Sequence, residues 1–232
     1  MGKPLVVVTG AAGALGRVVA RHFLERGHPA LLVDLDRGAL EKAYADAPGD
    51  HRYVAVDLTA TDRAVAAIGA ALAEDGPAGI LCNIAGGFAM GHPVHDPDGG
   101  DWQKMLDMNV ATLLNACRAV VPGMVEAGRG KIVNVAAASA SSGKASMGPY
   151  VASKSAVARL TESMALELRG HGINVNAVAP SIIDTPANRA AMPKADPADW
   201  VSPQQLADVI GFLSSDAASA IHGAVIPVVG LS

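Results

Sequence analysis

The stretch VNVAAASASSGKASMGPYVASK, residues 133–154, ends in Tyr150 and Lys154. A spacing of four puts both side chains on one face of a helix that begins near residue 150. A phenol and an ammonium so placed suit proton transfer. A free tyrosine titrates near pH 10, so roughly one in a thousand is phenolate at neutral pH. A cation within about 4–6 Å favours the phenolate, and Lys154 would supply one. Lowering the pKa by about three units corresponds to roughly 4 kcal/mol, within reach of two cations in a shielded cleft. In the reducing direction the phenol would then give its proton to an alkoxide forming on a carbonyl carbon. The alternative is a tyrosine at the edge of the core beside a solvated lysine.

A proton donor of this kind needs a partner reagent, and the N-terminal third has a place for one. VVVTGAAGALGRVVA reads as a strand, a glycine turn and a helix start. Gly10, Gly13 and Gly16, with Leu15 between them, would let a backbone approach a pyrophosphate at a helix N-terminus. The next strand ends in Asp34, 24 residues after Gly10. An acid there can accept hydrogen bonds from ribose hydroxyls and repel a 2′-phosphate. NAD(H) is therefore favoured over NADP(H), with Arg37 as the counter-evidence. Asp57, beside Leu58, would accept from an adenine amino group or else cap the following helix. Asn83, Ala85 and Gly86 are small or polar where a backbone must run close to a ligand.

The elements that position these groups alternate. Strands are expected at 4–10, 30–35, 53–58, 79–86, 131–137, 173–180 and 224–230, and helices near 14–27, 37–46, 61–75, 101–127, 150–169 and 203–214. This rhythm predicts one α/β domain over 1–232, a doubly wound parallel, Rossmann-like sheet with helices on both faces. Its ligands bind beyond the carboxyl ends of the strands, where strand order reverses. Half of the residues are hydrophobic and only 3% aromatic, which suits buried parallel strands of Val, Ile and Leu. The segment 186–203 reads as a substrate loop or lid. A net charge of −4 without a basic block argues against nucleic acid. No uncharged run reaches bilayer length, and the short apolar run after Lys3 reads as a first strand rather than a signal peptide. Cys82 and Cys117 are too few for a disulfide framework, so a cytoplasmic location is expected.

TGAAGALG, Asp34, NIAG, Asn109 in MNVATLL, YVASK and PSIIDTP together resemble the short-chain dehydrogenase/reductase family over nearly the whole chain. That resemblance implies hydride transfer between a nicotinamide dinucleotide and a carbonyl carbon. It makes Tyr150 the acid/base and gives Lys154 the nicotinamide ribose. It gives Asn109 a proton-relay water and sets Pro180, Ile183 and Thr185 beside the carboxamide. Three departures stand out. Gly13 comes one place early, with Ala14 at the usual glycine. NIAG replaces NNAG. The family's serine position, thirteen residues before the tyrosine, is Ala137. The GALG turn, the AGG after the fourth strand, the missing serine and the segment 184–200 are similar to the dihydropteridine-reductase-like branch. Asn109 departs from that branch towards the wider family.

Three readings of Ala137 stay open. The substrate is a conjugated or quinonoid system needing less oxyanion help; a nearby hydroxyl, Ser139 or Ser141, takes over; or the chain binds NAD(H) as a redox sensor without turnover. Phe88, Met90, Met147 and Met192 are candidates for the substrate wall, each with packing as its alternative. Asn188 and Arg189 bind substrate or tie down the lid. His92, His95 and Asp96 lie in a loop without the ordered third ligand that a metal site needs, so no metal is expected. The expected partner is a small molecule. In this family Ala-rich helices such as 101–127 and 150–169 pair across subunits, so the resemblance also implies a homodimer or homotetramer.

Overall fold

In the computed structural model, which describes residues 2–96 and 101–232, the apolar runs become strands of one parallel sheet. They are β1 (Val6–Thr9), β2 (Ala30–Asp34), β3 (His51–Ala55), β4 (Ile80–Asn83), β5 (Gly130–Val135), β6 (Ile173–Pro180) and β7 (Val225–Val228). Their order is β3-β2-β1-β4-β5-β6-β7. The chain winds outward to β3, then crosses to the other side of β1. The order therefore reverses between β1 and β4, where Thr9 pairs with Asn83, and a crevice opens above that point.

Alternation along each strand fills two apolar layers. Val6, Val8 and Leu32 point to one face, under α1 (Ala14–Leu24), α2 (Arg37–Ala43) and α8 (Pro203–Leu213). Val7, Leu31 and Val33 point to the other, under α3 (Thr61–Asp75), α5 (Thr112–Ala127) and α6 (Gly148–Leu168). Each fully buried Val or Leu stabilises the fold by about 1.5–3 kcal/mol. Both faces of the sheet are thus covered, as expected.

β3 differs from expectation. It lies at His51–Ala55, in register with Ala30–Asp34, and Val56, Asp57 and Leu58 have already left the strand to line the crevice. The stretch expected as one helix over 101–127 is α4 (Asp101–Leu106), a π-helical turn (Asp107–Ala111) and α5. In that turn the Thr112 amide reaches back to the Asp107 carbonyl, and π turns of this kind gather at functional sites. By length and composition alone the whole stretch would suffice to cross a bilayer, although Asp101, Lys104, Asp107, Arg118 and Glu126 leave no uncharged run of that length in it. Its inner face, Met105, Leu113, Ala116, Val120 and Met124, is buried in this fold.

The lid also carries more structure than a loop. Pro186 stands in the first turn of a short helix, α7 (Pro186–Ala191), capped by Thr185 Oγ1, a position where proline is favourable. Beyond it Trp200 is buried at the lid's base, and a capping box between Ser202 and Gln205 starts α8.

Candidate active site

The crevice over the switch point encloses about 600 Å³ and is lined by the glycine turn, Asp34, Asp57 and Leu58, Ala85 and Gly86. Two glycines are needed to shape it. Gly10 has a φ of +63°, and a Cβ there would stand 2.9 Å from the backbone of Ala85. A Cβ on Gly16 would lie 2.0 Å from the Gly10 carbonyl oxygen. Gly13 has an ordinary φ of −71° as the N-cap of α1. Its early position therefore costs the turn nothing. α1 has no side-chain cap, and its first internal hydrogen bond runs from the Arg17 amide to the Gly13 carbonyl. The N–H groups of Ala14, Leu15 and Gly16 precede that bond and face the crevice end, as an anion site requires. Replacing Gly16 with alanine should cost about 1–3 kcal/mol of stability and weaken dinucleotide binding at least tenfold. Thermal melts and fluorescence titration would measure the two.

Asp34 sits in this crevice with one oxygen accepting from the Ala12 amide (2.8 Å) and the other from the Leu35 amide (2.7 Å). Arg37 does not line the crevice; it pairs with Glu41 at 2.9 Å and lies over the Tyr53 ring. Asp57 Oδ1 accepts from the amide and hydroxyl of Thr59, which holds its carboxyl below the usual range. Asn83 lies beneath the crevice rather than along it. It is buried in the sheet and donates to Asn134 Oδ1 at 2.9 Å.

Tyr150 and Lys154 stand on the face of α6 that carries Ser153, Val157, Ala158, Thr161 and Ala165 into the fold. Lys154 is therefore buried, and its Nζ donates to the Val135 carbonyl at 2.8 Å. A Cβ on Gly86 would be 3.2 Å from that Nζ and 2.7 Å from Asn109 Oδ1, so the catalytic candidates adjoin the end of the crevice. The Tyr150 ring meets Phe88 edge to face at 4.8 Å. Among the described residues its hydroxyl has no protein hydrogen-bond partner. Burial pushes the phenol up to about 12 and the Lys154 ammonium down to about 8. Burial, the one cause of the Tyr150 shift, thus acts opposite to the two cations of the sequence expectation, Lys154 and the oxidised nicotinamide ring.

Asn109 sits in the π turn, 1% exposed. Its Oδ1 accepts from the Gly87 amide, and its Nδ2 donates to the Gly87 carbonyl and to Ser153 Oγ. Ala137 is buried at the end of β5. Of the two nearby hydroxyls, Ser141 donates to the Ala138 carbonyl and Ser139 shares the same short helical turn. Pro180 closes β6, and Ile183 bridges to Val201. Thr185 caps α7, and Met192 ends it. Asn188 donates to the Ile183 carbonyl, while Arg189 grips both oxygens of Asp184. These two residues tie down the lid. Met147 precedes α6 as its N-cap residue. His92 pairs with Asp96 at 3.1 Å.

The profile of the short chain dehydrogenase family matches residues 4–196. The chain belongs to this family. As a short-chain dehydrogenase it is an NAD(P)-dependent oxidoreductase acting on CH–OH or C=O groups. It is 35% identical over 236 residues to cis-4-hydroxycyclohexanecarboxylate dehydrogenase of Sinomonas cyclohexanicum, covering 97% of this chain and 95% of that protein. It is 35% identical to galactitol 2-dehydrogenase of Rhizobium johnstonii, with coverage of 96% and 92%. An NAD+-bound xylitol dehydrogenase structure superposes with a TM-score of 0.90 at 27% identity, over 99% of this chain and 98% of that one.

Several residues of this short-chain dehydrogenase site escape a reading by motif. Met108 and Thr112 line the crevice, one helical turn apart and next to Asn109, which was the available signal. Tyr44 braces the glycine turn from α2's end by donating to the Ala11 carbonyl at 2.7 Å. Its role rests on a contact 33 residues away, which no local pattern announces.

Proposed function

We propose that this short-chain dehydrogenase uses NAD(H) to interconvert a small secondary alcohol and its ketone, with Tyr150 as acid/base. The observation that carries this reading is the placement of Lys154 Nζ against Gly86, where the crevice ends, with Tyr150 one turn earlier on the same helix. The crevice fits a dinucleotide: its floor is backbone that a Cβ on Gly10 or Gly16 would fill, and uncapped N–H groups meet it at α1. In the proposed pose Gly10, Gly13, Leu15 and Gly16 hold the pyrophosphate, Asp34 the adenosine ribose, and Asp57 and Leu58 the adenine. Ala85 and Gly86 run beneath the molecule, and Pro180, Ile183 and Thr185 border its far end. Asn83 contributes from below by fixing the ends of β4 and β5. When bound, the nicotinamide supplies or accepts the hydride.

The chain's own residues supply the rest. Tyr150 keeps its proton at neutral pH as any phenol does, and burial strengthens that hold, so it can donate to the oxygen of a ketone. In the reverse direction it takes the alcohol's proton, and the adjacent ammonium of Lys154 favours that step when charged. Asn109 holds the Gly87 loop, through which it sets the height of the crevice wall. The proton-relay water stays part of the proposal, bound through groups other than this fully engaged amide. Phe88, exposed and packed on the Tyr150 ring, favours an apolar ring or short carbon skeleton, and Met90, Met147 and Met192 are the other residues assigned to that wall. Ser139 is the remaining candidate for a second oxygen contact.

The names of the relatives favour alcohols and ketones. They lend nothing to a dihydropteridine reductase or to a sensor without turnover. Assembly as a homodimer or homotetramer through α5 and α6 belongs to the same reading. Exposed Leu166 on α6 supports it.

The test is NADH formation from NAD+ with cyclic secondary alcohols, with and without a carboxylate, and with polyols. Turnover of at least one class is expected; none with any, despite tight NADH binding, would sink the reading. NAD+ should outperform NADP+, and Asp34→Ala should shift that ratio towards NADP+ by about tenfold, or on the order of 1.4 kcal/mol. A wild-type preference for NADP+ would refute the role given to Asp34.

A further inference from the structure

Ser153 lies between the two proposed catalytic residues in sequence terms, one place before Lys154, yet neither catalysis nor binding has so far needed it. It is completely buried. Its Oγ donates to the Tyr150 carbonyl at 2.8 Å and accepts from Asn109 Nδ2 at 3.0 Å. Asn109 in turn grips both backbone groups of Gly87, at 2.9 and 3.1 Å. One unbroken chain of hydrogen bonds therefore joins the loop after β4, the π turn and the first turn of α6. Each end of that chain belongs to the site. Gly87 follows Gly86, which adjoins Lys154 Nζ. Tyr150 carries the hydroxyl.

We infer that Ser153 is a positioning residue, which locks the helical turn bearing Tyr150 to Asn109 and so sets the distance between the phenol and the cofactor crevice.

A buried hydroxyl can also serve only to satisfy a helix carbonyl and tie the helix to the sheet, as Thr161 does by donating to Val157 and accepting from Asn134 Nδ2. What separates Ser153 from that role is where its bonds lead. It donates to the carbonyl of Tyr150 itself, and its donor, Asn109, holds both backbone groups of Gly87 beside Gly86. With alanine at this position Asn109 Nδ2 loses that acceptor, and the helix turn is free to move away from the π turn. A displacement of about 1 Å at a reacting group can cost on the order of 10²-fold in rate.

The inference rests on the proposed role of Tyr150, and the experiment keeps the two apart. Ser153→Ala, Ser153→Thr and Tyr150→Phe are compared in the full chain. The measurements are kcat and KM with NAD+ and the best alcohol of the panel, the pH profile of kcat, and the ultraviolet titration of tyrosinate with NAD+ bound. The Tyr150 titration is the part of that signal missing in Tyr150→Phe. Ser153→Ala should lower kcat about ten- to hundredfold, with KM for NAD+ little changed. The alkaline rise of kcat and the Tyr150 titration should both move to higher pH, because the phenolate is held less well beside the positively charged nicotinamide. Ser153→Thr, which keeps the Oγ, should restore both. A Ser153→Ala protein that melts earlier but keeps its kcat, pH profile and Tyr150 titration would overturn the inference. If it does not fold, Ser153→Cys takes its place. Its weaker donor should move the titration in the same direction, and an unmoved titration there is equally fatal. Undiminished turnover by Tyr150→Phe would instead overturn the reading on which the inference rests.

Discussion

Tyr150→Phe should lower turnover by about 10²–10⁴-fold while leaving NADH binding nearly unchanged. The substitution removes one oxygen that has no protein partner among the described residues, so no described donor or acceptor is orphaned. The ring stays, and with it the edge-to-face contact with Phe88. Folding should therefore survive, and any loss is chemical. The same variant has a signature in stability. The buried phenol titrates near 12, above its ordinary value of 10.0. It thus favours the fold fully below pH 10, and that contribution is lost as pH rises through 12. The wild type should lose stability over this window relative to Tyr150→Phe. Parallel melting curves for the two proteins would contradict the burial assigned to Tyr150.

Lys154→Met should abolish measurable turnover and yet make the cofactor-free protein more stable. Burial drives the ammonium from 10.5 down to about 8, so the folded state pays for its charge at neutral pH. That difference corresponds to about 3 kcal/mol. Losing the bond to the Val135 carbonyl offsets part of it, leaving a gain on the order of 2 kcal/mol. For a chain of this size that is several degrees in Tm. The sign follows from the direction of the shift: the penalty is full below pH 8 and fades as pH rises towards 10.5. The advantage of Lys154→Met should shrink over the same interval. A variant that melts no higher than wild type at pH 7 would show that the lysine is better satisfied than its surroundings indicate. Such an exchange of stability for activity is common where a charge is kept in an apolar site for chemistry.

The parts of this molecule that could be read from sequence are those governed by local rules. Alternating apolar strands and helices gave the sheet, because each element buries its own stripe. Tyr150 and Lys154 were legible because a spacing of four fixes a shared face whatever the surroundings. β3 was misplaced because Val56 and Leu58 look more strand-like than His51 and Arg52, although the ladder to β2 uses the latter pair. α7 lies in the segment 186–203, which reads as a loop because it is rich in Pro, Ala and Asp, although Pro186 stands in a first turn where proline is favourable. Asn83 was drawn into the site by its neighbours, Ala85 and Gly86, while its own amide faces Asn134. The part of the Tyr150 pKa that burial contributes was not legible for a deeper reason. A sequence shows which charges are near, but the desolvation that opposes them exists only after packing.

The uncapped start of α1 has a consequence for the life of the protein in a cell. A helix whose leading amides wait for an external anion is completed only by its ligand, so the folded population grows with ligand supply as RT ln(1 + [L]/Kd). A hundredfold excess over Kd is worth about 2.7 kcal/mol. Resistance to proteases, and with it abundance, would then follow the size of the dinucleotide pool without any dedicated regulator.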